Sequence, residues 1–266
     1  GGAAGQQEGD EPVMMCALWE QAGPHGDMTA GTRPPRVSTP KEIFQQLADE
    51  GFDVAYRRMP LSRERKPSAA DVDALHAHLN SHPSVDGAEA MYIFVSPSGQ
   101  GTSIRWATAL TCVHIAQRRG LEAEAAPAPG DPAAGPALSR LERAEYRNVM
   151  GMCRVLPRGP AMKAAVDAAV DRCASIGDIR KDILECKRAA DSGKDDENGP
   201  SAGLKSAAEL GLTYLRRYYQ TVCYRSFLES PASRLGEGLG TSGAFARWLD
   251  ARPELAHLKQ TLKLEE

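Results

Sequence analysis

The chain has 266 residues, enough for one large domain or two small ones with a full core. Its formal net charge of −3 argues against bulk binding to nucleic acid or to an anionic membrane surface. No apolar run approaches the roughly 20 residues that span a bilayer. The six cysteines are scattered without a Cys-x-x-Cys motif, which predicts reduced, mostly buried thiols and a cytoplasmic location.

Residues 1–11 are polar and rich in glycine, so we expect a disordered tail, and we expect the chain to be part of a longer protein. Residues 12–120 alternate between short apolar runs and segments with helical periodicity. This alternation predicts an α/β fold with a largely parallel sheet. The predicted strands cover residues 12–20, 52–59 and 90–95, and the helices between and after them begin at Thr39, at Ser68 and in a loop at 96–102.

Residues 121–138 are dominated by Ala, Pro and Gly, a composition typical of a solvated linker. From residue 139 to 266 the pattern is helical, and we expect a helical bundle packed on one side of the same domain. Tyr214, Tyr218 and Phe227 belong to a predicted core stripe that also includes Tyr219 and Tyr224. The predicted helices are Arg140–Val155, Pro160–Ala174, Asp178–Ala190, Gly203–Glu229 and Thr241–Leu264.

The segment from Met91 to Trp106 is the strongest candidate for a binding site. An apolar run leads into a loop with Gly99 and Gly101, and the loop opens a helix. Such a helix N-terminus presents free N–H groups and a positive dipole end to an anion. The loop matches neither a Walker A motif nor a nucleophile elbow, and it holds only half of a dinucleotide fingerprint.

The loop resembles that of the paladins, a multi-repeat family related to the protein-tyrosine-phosphatase-like inositol polyphosphate phosphatases. A typical paladin loop reads Phe-Asn-Cys-x-x-Gly-x-Gly-Arg-Thr, and this chain reads Phe94-Val-Ser-Pro-Ser-Gly-Gln-Gly-Thr-Ser103. Further similarity lies at Glu50-Gly-Phe-Asp-Val-Ala-Tyr-Arg-Arg-Met-Pro60 and Trp248-Leu-Asp-Ala-Arg-Pro-Glu-Leu255. Leu61-Ser-Arg-Glu-Arg65 resembles the last repeat of plant and algal paladins in particular.

The resemblance implies that three catalytic positions are vacant. The family's nucleophilic Cys falls on Ser96, its loop Arg on Thr102, and its general acid on Arg63. A hydroxyl at a helix N-terminus is not ionised as a thiol is, and Thr cannot replace a bidentate guanidinium. We therefore expect no catalytic residues here. Glu64 as a substitute acid is the weaker alternative to a salt bridge with its basic neighbours.

The resemblance still places a phosphate-binding loop and a basic border in this chain. The basic residues that border the loop could equally form a solvated surface with no ligand. Arg105 lies inside the helix that follows the loop, which favours exposure at the surface. We expect no metal or other cofactor, because His76, His78 and His82 straddle a helix end. The candidate loop residues are Ser96, Pro97, Ser98, Gly99, Gln100, Gly101, Thr102 and Ser103, and the candidate anion-binding cations are Arg57, Arg58, Arg63, Arg65, Lys66 and Arg105.

These observations predict a catalytically silent phosphatase-like domain that is structural or binds a phosphorylated ligand such as an inositol phosphate. The predicted partners are other repeats of the same longer protein. The alternative is an active inositol polyphosphate or protein phosphatase with an unorthodox nucleophile. Phosphate release would distinguish the enzyme from the other two functions, and phosphate-competitive binding would distinguish the binder from the structural repeat.

Overall fold

A computed structural model describes seven segments of the chain, which fall into two compact units divided between Arg58 and Met59. The predicted strand at 12–20 and the predicted tail lie outside them, as does nearly all of the predicted linker. The domain boundaries drawn from the sequence therefore stay predictions. The described segments are residues 38–61, 65–81, 91–95, 101–121, 138–192, 206–234 and 243–265.

The first unit contains helix α1, Pro40–Asp49, which begins as the sequence predicts. The Thr39 hydroxyl accepts from the Glu42 N–H, and the Glu42 carboxylate accepts from the Thr39 N–H, so the capping box is complete. Gly51 follows the C-cap residue Glu50, and its φ of +92° is a left-handed conformation that favours glycine. Beyond it the ring of Tyr56 stacks on Phe44 at a centroid distance of 5.2 Å.

The second unit is built from helices packed around one long, central helix. At the start of α2 the Ser68 hydroxyl accepts from the Asp71 N–H, and the Asp71 carboxylate accepts from the N–H and the hydroxyl of Ser68, as expected. Its helices are α2 Ala69–Ser81, α3 Thr102–Arg118, α4 Arg147–Val155, α5 Gly159–Arg172, α6 Ile179–Asp191, α7 Ala207–Glu229, α8 Pro231–Arg234, α9 Ala244–Asp250 and α10 Pro253–Gln260, with a 3₁₀ turn at Ala174–Ile176.

Helix α7 is the centre of this unit and contacts α3, α5 and α6. Its predicted aromatic stripe is confirmed as core, because Tyr214, Tyr218 and Phe227 are buried together with Tyr219 and Tyr224. Phe245 and Trp248 of α9 extend this core with ring contacts to Phe227. The Asp73 carboxylate of α2 accepts from the N–H of Phe245 at 2.7 Å and so caps α9.

The helical prediction for the second half of the chain is confirmed in outline, with two differences. Residues 140–144 form turns, so α4 begins only at Arg147. The predicted helix at 241–264 is divided into α9 and α10, because Pro253 lacks the N–H that would continue α9 and instead occupies the first turn of a new helix.

The predicted α/β fold with a parallel-rich sheet is wrong, because the described part of the chain is helical and contains no strand. Residues 52–59 and 91–95 are neither helix nor strand, and Met91, Ile93 and Val95 are at least 77% exposed. A strand is held by hydrogen bonds to a second segment distant in sequence. Alternation of side chains sets the two faces of a strand but supplies no such partner.

Candidate functional site

The N-terminus of α3 is the part of the predicted anion site that the structure describes. Gly101 precedes the helix, and the Arg105 N–H makes the first intrahelical bond, to the Gly101 carbonyl at 3.2 Å. The N–H groups of Thr102, Ser103 and Ile104 therefore have no carbonyl acceptor within the helix. No described side chain caps this end, and the first turn holds no acidic residue. Residues 96–100 and the side chain of Thr102 lie outside the described residues.

The Arg105 guanidinium points toward α6 and the 3₁₀ turn that precedes it. Its Nη1 donates to both carboxylate oxygens of Asp182 on α6, at 2.6 and 2.7 Å. Its Nε donates to the carbonyl of Ile176 at 2.8 Å. Gly177 has a φ of +117°, and a Cβ built there would lie 2.3 Å from the Arg105 Nε. In this structure Arg105 holds the first turn of α3 against the 3₁₀ turn and α6.

Of the remaining predicted cations that the structure describes, one is ion-paired and the others are exposed to solvent. The Arg65 guanidinium is 2.7 Å from an Asp71 carboxylate oxygen and also donates to the Pro60 carbonyl. Lys66 is exposed beside it. Arg57 and Arg58 are exposed in the first unit, whereas Arg63 and Glu64 lie outside the described residues. The structure thus leaves Lys66 facing solvent while Arg65 is engaged within the fold.

Arg217 of α7 is a buried cation beside α3 that the sequence reasoning did not single out. Its side chain lies 5.7 Å from the Trp106 ring centroid and 5.8 Å from that of Tyr214. It donates to the Arg65 carbonyl at 3.4 Å, and the residue is 1% exposed. The burial of Arg217 could have been predicted from its spacing, because position 217 falls on the same helical face as the apolar residues around it. This cation connects α7 to Trp106 of α3 and to the backbone at Arg65.

A buried chain of polar groups joins α2, α3 and α7, and it too was missed. Because the Asn80 amide nitrogen at 3.0 Å can only donate, His76 Nε2 accepts and His76 Nδ1 donates to the Tyr224 hydroxyl at 2.9 Å. The hydroxyl then donates to His114 Nδ1, also at 2.9 Å. Burial, followed by repulsion from His76 and Arg118, lowers the pKa of His114 to about 3. The His114 imidazole is therefore neutral near neutral pH.

Two other kinds of site are absent from the described residues. These residues contain no group of three or more His, Cys, Asp or Glu side chains that could hold a metal ion, and His78 is half-buried on α2. Within the same residues, no helix has the length and apolar character needed to cross a membrane. What the site can offer chemically is hydrogen-bond donation and positive charge, both of which suit an anion.

Comparison with known proteins gives independent information on the family. A family model named PTP-like phytase, with the description "Inositol hexakisphosphate", matches residues 6–115. The chain is 26% identical over 216 residues to the paladin of Homo sapiens, a match that covers 78% of this chain and 24% of that protein. It is 25% identical over 230 residues to the paladin of Mus musculus, covering 84% of this chain and 25% of that protein.

A third relative agrees with these two. The paladin of Danio rerio is 28% identical over 199 residues, which cover 72% of this chain and 21% of that protein. This chain thus spans about a quarter of the length of the curated relatives it matches. No solved structure matches it. Together the family model, which matches residues 6–115, and these relatives support membership of the paladin family and the presence of a phosphatase-like domain.

Proposed function

We propose that this paladin-type domain is catalytically silent and binds a phosphorylated ligand at the loop 96–103. The observation that carries the proposal is the combination of vacant catalytic positions with an intact helix N-terminus behind the loop. Ser96, Thr102 and Arg63 stand where the family has its nucleophile, its phosphate-clamping Arg and its general acid. Without a thiolate, a guanidinium and a proton donor, phosphoryl transfer lacks its three main contributions.

Binding of an anion does not require those three groups. The N–H groups at the start of α3 have no carbonyl acceptor within the helix, and no described side chain caps them, so they can donate to phosphate oxygens. Lys66 is exposed, and Arg63 lies three residues before it in the sequence Arg63-Glu-Arg-Lys66. The description of the matching family model makes inositol hexakisphosphate the first ligand to test. Its many phosphates suit a border of several cations.

A second candidate, a purely structural repeat, is favoured by a specific observation. Arg65 and Arg105, two of the predicted anion-binding cations, pair with Asp71 and Asp182 and so contribute to the fold. If the loop binds no ligand, the domain would serve the rest of a longer paladin by packing against its other repeats. The coverage of about a quarter of each relative supports such a place within a longer chain.

Calorimetric titration with inositol hexakisphosphate tests the proposal. Lys66→Ala and Arg63→Ala should each weaken binding severalfold, because each removes one cation from the border of the loop. Arg154→Ala removes an exposed positive charge on α4 and is the matched control, with no expected change. Equal losses from all three variants would mean nonspecific attraction of the polyanion. No heat of binding to the wild type would leave the structural repeat.

A further inference from the structure

Two cysteines face each other where α3 packs on α5. Cys112 lies in the middle of α3, and Cys173 is the C-cap residue that directly follows α5. Their Sγ atoms are 3.5 Å apart, although both are free thiols. A disulfide bond requires a separation of about 2.0 Å, so the two sulfurs need to approach by only about 1.5 Å.

The two thiols are chemically unequal. The S–H of Cys173 donates toward Cys112 and lowers the pKa of Cys112 to about 7, against the effect of burial, and the neighbouring Arg172 acts in the same direction. The same hydrogen bond, together with burial, raises the pKa of Cys173. Cys112 is partly exposed and Cys173 is 7% exposed. The lower pKa suits Cys112 to be the attacking thiolate, and the higher pKa suits Cys173 to be the thiol that then resolves the oxidised product.

We infer that Cys112 and Cys173 form a reversible redox pair, oxidised by peroxides to a disulfide that ties α3 to the end of α5. The Cys112 thiolate attacks one peroxide oxygen, the O–O bond breaks, and Cys112 becomes a sulfenic acid while hydroxide leaves. The sulfur of Cys173 then attacks the sulfur of Cys112. The S–S bond forms, the S–O bond breaks, and the departing hydroxide takes the proton of Cys173 as water. Two thiols and one hydrogen peroxide thus give one disulfide and two waters.

The other described cysteines provide the contrast that makes the pair specific. Cys223 is fully buried, its Sγ lies 3.4 Å from the Met152 Sδ, and burial raises its pKa. Burial also raises the pKa of Cys153. Low thiolate content protects both from oxidation. Cys186 on α6 is partly exposed and serves as the control for surface reactivity.

The inference is tested on the full chain by limited treatment with hydrogen peroxide, alkylation with N-ethylmaleimide and peptide mass spectrometry. We expect the titre of the six thiols to fall by two and a linked Cys112–Cys173 peptide pair to appear, about 2 Da lighter than its reduced parts. Dithiothreitol should restore both thiols. A protein in which Cys186 is oxidised first, while Cys112 and Cys173 are both alkylated, would overturn the inference.

Variants separate the two roles. Cys173→Ser should leave a sulfenic acid on Cys112 that dimedone captures, because no thiol resolves it. Cys112→Ser should remove the peroxide sensitivity of Cys173, and Cys186→Ser should leave the linked peptide unchanged. Dimedone capture on Cys173 in the Cys112→Ser variant at the wild-type rate would contradict the assigned order. The wild-type mass measurement decides the existence of the pair even if a variant fails to fold.

Discussion

The Nη1 of Arg105 lies 2.6 Å from a carboxylate oxygen of Asp182, so the first turn of α3 is ion-paired to a residue of α6 that lies 77 positions away in sequence. Both side chains are largely removed from solvent, at 26% and 17% exposure. Arg105→Ala should lower the free energy of unfolding by about 1.5–3 kcal/mol, because it leaves the Asp182 carboxylate without its charged donor. Urea denaturation followed by circular dichroism measures the change.

The same helix α6 offers a matched control for this ion pair. Lys187 and Asp191 are 2.8 Å apart, but Asp191 is 63% exposed. Lys187→Ala should therefore change the stability by no more than about 0.5 kcal/mol. If both variants lose the same small amount, Arg105 does not anchor α3 in the way described.

Gly177 is predicted to be essential for the position of Arg105. An alanine there would carry an unfavourable φ of +117° and a Cβ 2.3 Å from the Arg105 Nε. Gly177→Ala should destabilise the protein by at least about 2 kcal/mol, from backbone strain and displacement of the guanidinium. Gly120 also has a positive φ, of +64°, but its Cβ would meet nothing within 4 Å. Gly120→Ala should cost only about 1 kcal/mol, and equal losses would contradict the steric argument.

His114 should make stability depend on pH below neutrality. Its pKa is about 3 in the folded protein and 6.5 in the unfolded chain, so the unfolded state binds the proton more readily. Its contribution is complete above pH 6.5 and is lost as the pH falls from about 6.5 towards 3, by an amount on the order of 5 kcal/mol. The groups that face it are His76 of α2, Tyr224 of α7 and Arg118 of α3 itself.

His114→Gln removes the titrating group and keeps a polar side chain. The difference in unfolding free energy between the wild type and this variant should shrink steadily between pH 6.5 and pH 4, because only the wild type loses the His114 contribution. His257→Gln, at an exposed position of α10, is the control. A constant difference between wild type and His114→Gln over this range would show that His114 does not titrate as described.

Restoring two of the three catalytic groups should not restore the activity. In the double variant Ser96→Cys with Thr102→Arg, the nucleophile and the clamp return, but position 63 remains Arg and supplies no proton to the leaving group. Phosphate release from inositol hexakisphosphate should stay at background. The triple variant that adds Arg63→Asp is the comparison. Appreciable turnover by the double variant would refute the role assigned to position 63.

The sequence predicted the features that depend on neighbours along the chain. The capping box at Thr39, the Ser68–Asp71 pair and the tyrosine stripe of α7 all follow from local spacing. The sheet was predicted wrongly, since a strand such as 91–95 depends on a distant partner that no local pattern supplies. The His114–Tyr224 bond and the Cys112–Cys173 pair were missed for the same reason, as they join residues 110 and 61 positions apart.

We propose that the domain binds a phosphoanion without cleaving it. The most direct test is to titrate inositol hexakisphosphate into the purified chain and to measure free phosphate in the same samples. We expect saturable binding with no phosphate above the blank, and the same result for Ser96→Ala apart from affinity. Phosphate release that Ser96→Ala abolishes would contradict it and would identify Ser96 as a nucleophile.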